Sequence, residues 1–163
     1  MTSKVIEHSI MIDNSNIETI RRSLTEYKSW VHWSSWLQME EDVTLIYRGK
    51  VSEVGSSYAW AGNVIGAGSM EVLDTSSHTM LMKLVSVKPY LFEALLRFSF
   101  EKYSNDIHLT CAIEITTQPW TNRHIQSLLT RECQQGLLLL KGYIEEGSVA
   151  SLSEIEGVCP LSA

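Results

Sequence analysis

Residues 91–116, LFEALLRFSFEKYSNDIHLTCAIEIT, decide the fold. Apolar side chains alternate with charged or hydroxyl side chains on both sides of Ser104-Asn105-Asp106, a sequence typical of tight turns. A period of two places the apolar set on one face of a strand. We therefore expect antiparallel strands over 91–102 and 106–116, with one dry and one solvated face. The dry face is predicted to hold Phe92, Ala94, Leu96, Phe98, Phe100, Ile107, Leu109, Cys111, Ile113 and Ile115.

Similar strand patterns recur upstream, and helical spacing flanks them. Further strands are predicted over residues 5–12, 43–48, 56–62, 67–73 and 79–87. Helical spacing predicts a helix over 17–24, and residues 27–36 suit a second short helix or a tight turn. One long amphipathic helix is predicted from Asn122 to about Glu146, with Gly147 as its stop. Its apolar side comprises Ile125, Leu129, Cys133, Leu137, Leu140 and Ile144.

The order of these elements, β-α-α-β6-α, predicts the architecture. It is typical of an α+β fold in which a curved seven-stranded antiparallel sheet wraps around the long helix. The chain has 163 residues, 44% of them hydrophobic and 20% charged. This length and composition fit one globular domain with a single core.

Charge and hydropathy exclude several classes of partner. The chain carries 13 Lys+Arg against 19 Asp+Glu, for a net charge of -6. It therefore lacks the basic patch that binding to nucleic acid or an anionic membrane requires. No apolar run reaches the roughly 18 residues of a membrane-spanning helix, and Glu7 and His8 interrupt the start where a secretory signal is apolar. We expect a cytoplasmic protein without integral membrane association.

The cysteines indicate neither disulfides nor a metal site. Cys111, Cys133 and Cys159 are odd in number, and their spacing matches neither a disulfide framework nor a CxxC metal pair. We interpret them as reduced packing residues.

Four short stretches occur in an order and spacing that resemble a known family. They are Trp33-Ser34-Ser35-Trp36, the glycine-bounded hairpin of 54–63 and 66–72, Lys88-Pro89, and Gly136–Glu145 with the sequence GLLLLKGYIE. In the same order, they resemble four features of one family: its tryptophan-containing turn, the hairpin of its third and fourth strands, the position where a strand commonly breaks, and the signature of its last helix. That family is the polyketide cyclase/dehydrase-like (SRPBCC) branch of the START/Bet v 1 superfamily. The resemblance covers about 5–146 and implies a helix-grip fold with an internal cavity.

The sequence departs from the family pattern in three places. Ser35 and Asp13-Asn14 stand where proline is usual. Residues 147–163 have no counterpart in a minimal domain, so we place the ligand-binding domain at 1–146. In the remainder, the spacing of Val149, Leu152, Ile155 and Val158 leaves open an extra strand, a docked arm or a mobile tail.

The implied cavity lies between the sheet and the long helix. Aromatic rings offer rigid contact area and thioethers adapt to irregular shapes, so both suit such a site. For any one residue, a place in a filled core is the simpler interpretation; only the resemblance favours a ligand for the set. The candidate ligand-binding residues are Tyr58, Trp60, Met70, Val72, Met80, Met82, Phe98, Leu109 and Cys111 in the sheet, and Leu129, Cys133, Gly136 and Leu137 in the helix.

Gly136 is informative because glycine inside a helix costs roughly 1 kcal/mol relative to alanine. Its position on the inward face indicates that a ligand or an approaching strand backbone needs the space.

Two ionisable residues are candidates for polar contacts in the cavity. His8 shares its strand parity with inward apolar residues, and Glu132 borders the apolar face of the helix. Each could transfer a proton or donate a hydrogen bond there, although a strand end and a helix edge also reach solvent. Trp30, Trp33 and Trp36 could line the mouth or brace the short helices. The sequence contains no HxxxH, phosphate-loop or GxSxG motif, so no metal, cofactor or catalytic residue is assigned.

Three functions remain open at this point. The first is binding of a small, mostly hydrophobic or aromatic, lipid- or polyketide-like molecule, for which catalysis is not required. The second is an aromatase/cyclase-type enzyme that uses the same cavity, for which His8 or Glu132 must point inward. The third is a chaperone- or partner-binding module with a filled cavity and an exposed apolar patch. Fold alone does not choose among them, and a homodimer is allowed by base rate.

Overall fold

Seven antiparallel strands form one sheet. The computed structural model describes residues 2–34, 37–117 and 121–155. The strands pair in the order β1-β7-β6-β5-β4-β3-β2, so β1 and β2 are the two edges. Each predicted strand is present, and the predicted α+β helix-grip class is confirmed. The strands are β1 (Thr2–Ile12), β2 (Thr44–Arg48), β3 (Ser57–Gly62), β4 (Gly66–Thr75), β5 (Thr79–Lys88), β6 (Phe92–Tyr103) and β7 (Asp106–Thr117).

The helical segments lie between β1 and β2 and after β7. Helix α1 (Ile17–Thr25) begins where the Asn16 side chain accepts a hydrogen bond of 2.8 Å from the backbone N–H of Thr19. A 3₁₀ turn over Tyr27–Ser29 leads into the short helix α2 (Trp30–Trp33), and Leu37–Met39 forms another 3₁₀ turn. The long helix α3 spans Asn122–Ile155.

The predicted stop at Gly147 is wrong, because α3 continues to Ile155. Glycine lowers helix propensity by about 1 kcal/mol but keeps its N–H and causes no clash, whereas proline removes the donor and clashes with the preceding turn. No proline occurs between Gly147 and Ile155. The alternative of an extra strand over this segment is therefore wrong as well. Val158 lies outside the described residues.

Alternation in β6 and β7 sets the inner face of the sheet. Their side chains alternate between buried and accessible along most of both strands, as predicted. The register pairs Phe98 with Cys111 and Leu96 with Ile113. Helix α3 buries Ile125, Leu129, Leu137, Leu140 and Ile144 as part of the same hydrophobic core, so the predicted apolar side of the helix faces the sheet.

Polar contacts fix the second half of α3 and helix α1 over one end of the sheet. Lys141 Nζ donates to the Met11 carbonyl at 2.7 Å and lies 3.5 Å from an Asp13 carboxylate oxygen. Arg21 donates to the carbonyl oxygens of Ser76 and Ser77 in the β4–β5 turn. These contacts close that end, and the first half of α3 lies over the other.

Candidate functional site: an internal cavity

A cavity of about 130 Å³ lies between the sheet and the first half of α3. Its walls come from β3 to β7, from the short helices after β1, and from residues 129–140 of α3. Apolar side chains form most of the lining, and the few polar contributors include Ser34, Ser86 and Glu132. The cavity can therefore hold an apolar group of modest size.

Ten residues that the sequence singled out line this cavity. Most are candidates from strand parity and helical spacing, and Glu132 is one of the two polar candidates. They are Tyr58, Trp60, Met70, Phe98, Cys111, Leu129, Glu132, Cys133, Gly136 and Leu137.

Five other candidates do not line it. Val72, Met80, Met82 and Leu109 are at most 1% exposed and lie in the filled core. His8 is half-buried on β1, opposite Cys111 in the register, and is not part of the lining. Strand parity assigns a residue to a face of the sheet, but the position along the strand decides whether it reaches the open or the closed end.

The closed end of the inner face explains why the four apolar candidates do not line the cavity. Arg21 of α1 lies over the ring of Phe100 at 5.4 Å and donates a hydrogen bond to the β4–β5 turn. Helix α1 therefore lies over the start of β5 and the end of β6. Met80 and Met82 belong to the start of β5, whereas Leu84 and Ser86 further along the strand line the cavity.

Parity placed Phe92, Leu96 and Ile113 on the dry face of the sheet, helical spacing placed Leu140 on the apolar side of α3, and Trp30 and Trp33 were considered for the mouth. The long-range placement of α1 and α2 was not readable from local spacing. Ten lining residues were therefore not among the candidate ligand-binding residues. They are Leu24, Trp30, Trp33 and Ser34 from the short helices, and Leu84, Ser86, Phe92, Leu96, Ile113 and Leu140 from the sheet and α3.

Aromatic rings form one continuous wall of the cavity. The ring centroids of Trp30 and Trp33 are 4.3 Å apart, and Tyr58 lies 5.4 Å from Trp30 and 5.6 Å from Trp60. Tilted contacts at these separations are favourable between aromatic rings. Burial raises the pKa of Tyr58 well above its usual value, so its hydroxyl stays neutral.

The tryptophans of α2 both line the wall and brace the helix. Trp30 Nε1 donates to the Leu24 carbonyl at 3.0 Å, and Trp33 Nε1 donates to Ser29 Oγ at 3.3 Å. These two residues therefore line the cavity and make hydrogen bonds within the short helical segment, while Trp36 lies outside the described residues.

Comparison with solved structures assigns the fold. Ara h 8.0201 superposes with a TM-score of 0.66 at 7% identity, over 89% of this chain and 99% of that one. The Zhui aromatase/cyclase from Streptomyces sp. R1128 gives 0.69 at 10% identity, over 88% and 94%. Truncated norcoclaurine synthase from Thalictrum flavum gives 0.67 at 11% identity, over 88% and 94%. The chain has a Bet v 1-like helix-grip fold. The resemblance seen in the sequence is thus confirmed at the level of the fold.

Sequence comparison adds nothing to this assignment. No protein-family profile matches the chain, and no curated protein matches it. The identities of the solved structures are so low that they bear on the Bet v 1-like fold and not on the ligand.

Gly136 opens the cavity of this Bet v 1-like fold on the helix side. A Cβ built on Gly136 would meet no atom within 4 Å, so no strand backbone approaches it. Of the two interpretations of this glycine, the approaching backbone is excluded and open space remains. Gly142, six residues further along α3, is equally uncrowded but does not line the cavity.

Trp60 brings a buried donor to the Bet v 1-like cavity. Its indole ring lines the wall and is 5% exposed. Among the described residues, its Nε1 has no hydrogen-bond acceptor. A buried N–H without an acceptor destabilises the folded protein by about 1–3 kcal/mol.

Two thiols and one carboxylate are the other reactive groups of the lining. Interaction with Cys133 and burial raise the pKa of Cys111 well above its usual value. The same interaction lowers the pKa of Cys133, against the effect of burial. Glu132 is half-buried and interacts with a neighbouring group.

Within residues 2–34, 37–117 and 121–155, no three His, Cys, Asp or Glu side chains are grouped so as to hold a metal ion. In that part of the chain, no helix is both long and apolar enough to cross a membrane.

Proposed function

We propose that the protein binds a small, mostly hydrophobic or aromatic molecule in the cavity between the sheet and α3. The single observation that carries this proposal is the open space at Gly136, in a lining made mostly of apolar side chains. A helix that only packed against the sheet would gain about 1 kcal/mol from alanine at this position. The cavity-forming domain is taken as residues 1–146.

The cavity volume limits the size of the ligand. The volume of about 130 Å³ is close to that of an engineered cavity of ~150 Å³ that binds benzene. One six-membered ring or a short branched chain fits such a space. A molecule of several fused rings fits only if α3 moves away from the sheet.

The unpartnered Nε1 of Trp60 supports a ligand with one hydrogen-bond acceptor. A carbonyl or ether oxygen next to this nitrogen would satisfy a donor that the described residues leave unpaired. The proposed ligand class is therefore a single aromatic ring, or the terminal ring of a larger molecule, with one oxygen substituent.

The proposal is tested with ligands of graded size. Fluorobenzene, fluoronaphthalene and fluoroanthracene are titrated with the protein, and binding is followed by fluorine NMR line broadening. We expect fluorobenzene to bind with the highest affinity and the three-ring compound with the lowest. Absence of binding for all three, with no small molecule released from the purified protein in native mass spectrometry, would contradict the proposal.

A cyclase-type enzyme is the second candidate, and one observation favours it. Glu132 lines the cavity, so its carboxyl group is a candidate acid or base for a bound substrate. His8, the other candidate for this role, does not line it. The Zhui aromatase/cyclase shares the fold. Under this proposal, Glu132→Gln abolishes turnover of an aromatic polyketide substrate but leaves its binding intact.

The partner-binding module receives less support. It requires a filled cavity, and the uncrowded position at Gly136 speaks against a filled one.

A further inference from the structure

Cys133 brings a nucleophilic side chain to the helix side of the cavity. It lies in α3, lines the cavity and forms no disulfide. Gly136 follows one helical turn further along the same face, and a Cβ there would meet no atom within 4 Å. The Cys133 side chain is half-buried and keeps some accessible surface. A small molecule in the open space beside Gly136 can therefore contact the thiol.

A second observation, independent of the cysteine, indicates which kind of ligand would lie next to it. Trp60 of β3 lines the sheet side of the same cavity and is 5% exposed. Its Nε1 has no hydrogen-bond acceptor among the described residues. Packing alone explains a cysteine in an apolar lining, but it does not explain a buried N–H group without an acceptor. The cavity thus offers a ligand one nucleophile from the helix and one donor from the sheet.

We propose that Cys133 binds ligands with an α,β-unsaturated ketone covalently, as a thioether at the β-carbon, while Trp60 Nε1 donates to the carbonyl oxygen. This inference rests on the proposed function, since the ligand must first occupy the cavity. The ligand class follows from the two groups, because a thiol reacts with an electrophilic carbon and an unpaired N–H binds an acceptor oxygen. A six-membered cyclic enone carries both in one ring, the size that a volume of about 130 Å³ allows.

The reaction balances without a co-reactant. The Cys133 sulfur forms a bond to the β-carbon, and the electron pair of the C=C bond moves onto the α-carbon and the carbonyl oxygen. The thiol proton ends on the α-carbon, so that thiol and enone together give one saturated ketone thioether. Negative charge develops on the carbonyl oxygen during the addition. A hydrogen-bond donor next to this oxygen therefore accelerates the step.

Exposure separates Cys133 from the other described thiol. Cys111 also lines the cavity, but it is 3% exposed and lies in β7 opposite Phe98 in the register. The sulfur must be accessible for the reaction. We therefore expect the adduct at Cys133 and not at Cys111, and substitution of Cys111 is the matched control.

The covalent step is tested with 2-cyclohexen-1-one in a Cys159→Ser background, which removes the third thiol. Intact mass spectrometry should show the addition of one enone molecule per protein, and trypsin should place it on the peptide of residues 132–141. In this background, Cys133→Ser should lose the adduct and Cys111→Ser should keep it. An unmodified 132–141 peptide in the background protein, or an adduct that remains in Cys133→Ser, overturns the proposal.

Fluorobenzene tests whether the reaction takes place in the cavity. We expect saturating fluorobenzene to slow adduct formation at Cys133 at least several-fold. Binding of fluorobenzene in the fluorine NMR titration without protection of Cys133 overturns the covalent proposal and leaves the proposed function standing. Absence of fluorobenzene binding counts against the proposed function, and the covalent proposal falls with it because it requires an accessible cavity.

Two tryptophan variants test the donor. Trp60→Phe removes the unpaired N–H and should slow adduct formation by roughly two- to ten-fold, the effect of one net hydrogen bond. Trp33→Phe is the control, because Trp33 also lines the cavity but its Nε1 already donates to Ser29 Oγ. Equal rates in the two variants overturn the role of Trp60 in the proposal.

Discussion

Gly68 lies directly opposite Trp60 in the β3–β4 pairing, and the indole ring occupies the space above its Cα. A Cβ at Gly68 would lie 2.5 Å from Trp60 Cζ2 and 2.5 Å from the Val85 carbonyl oxygen. Real Cβ atoms do not approach so closely, so the absence of a side chain at Gly68 leaves room for the indole against the sheet.

Gly68→Ala should therefore destabilise the protein and displace Trp60. Because one of the crowded atoms is a backbone oxygen, the strain cannot be relieved by a side-chain rotation alone. We expect the free energy of unfolding in urea to fall by about 1–3 kcal/mol. Gly142→Ala is the matched control, since a Cβ there meets nothing within 4 Å. This control should be neutral or more stable by up to about 1 kcal/mol; equal effects of the two variants would refute the role of Gly68.

Glu40 predicts a pH-dependent contribution to stability at the β3–β4 turn. Its carboxylate accepts hydrogen bonds from the backbone N–H groups of Asn63, Val64 and Ile65, at 2.8, 3.0 and 3.2 Å. These bonds lower the pKa of Glu40 below 4.5 in the folded protein. The stabilisation is therefore present above pH 4.5 and is lost as the pH falls through the folded pKa.

Glu40→Gln removes the charge that these N–H groups bind. The variant should be less stable than the parent near neutral pH, and this difference should be smaller at about pH 3. Glu41→Gln is the control, because it removes a neighbouring charge that is exposed. The change in its free energy of unfolding between the two pH values should be nearly the same as that of the parent. Urea unfolding of the three proteins at both pH values checks this. A constant deficit of Glu40→Gln across the range would exclude the titration of Glu40 as the cause.

The unpaired Nε1 of Trp60 predicts a preference among ligands of equal size. Acetophenone carries a carbonyl oxygen where isopropylbenzene carries a methyl group, and a net hydrogen bond is worth about 0.5–1.5 kcal/mol. We expect acetophenone to be preferred by roughly two- to ten-fold, and Trp60→Phe to abolish the preference. Trp33→Phe is the control, because Trp33 Nε1 already donates to Ser29 Oγ. Persistence of the preference in Trp60→Phe would assign it to another group.

Local patterns in the sequence predicted the frame of this fold well. The alternation in β6 and β7 and the apolar side of α3 carry direct physical information, because burial on one face requires a period of two or of 3.6 residues. The same reasoning failed at Gly147. A helix can absorb the propensity cost of one glycine when its neighbours continue the hydrogen-bonding pattern, and here it continues to Ile155.

The cavity was only partly predictable, for a different reason. Parity placed Met80 and Met82 on the inner face correctly, but it could not tell that α1 closes their end of the sheet. The same limit hid Leu84 and Ser86, which lie further along β5 and line the open end. Gly136 did indicate open space from the sequence. Glycine lowers helix propensity, and at this inward-facing position no turn or helix end requires it.

The most direct test of the central claim is the binding of fluorobenzene to Gly136→Leu and Gly142→Leu. Both positions lie within α3, and a Cβ at either meets nothing within 4 Å, but only Gly136 lines the cavity. Both variants gain helix propensity, so both should unfold at or above the parent's urea midpoint. We predict that Gly136→Leu fills the cavity and weakens binding at least ten-fold, while Gly142→Leu binds as the parent does. Equal affinity in the two variants, measured by fluorine NMR, would contradict binding in this cavity.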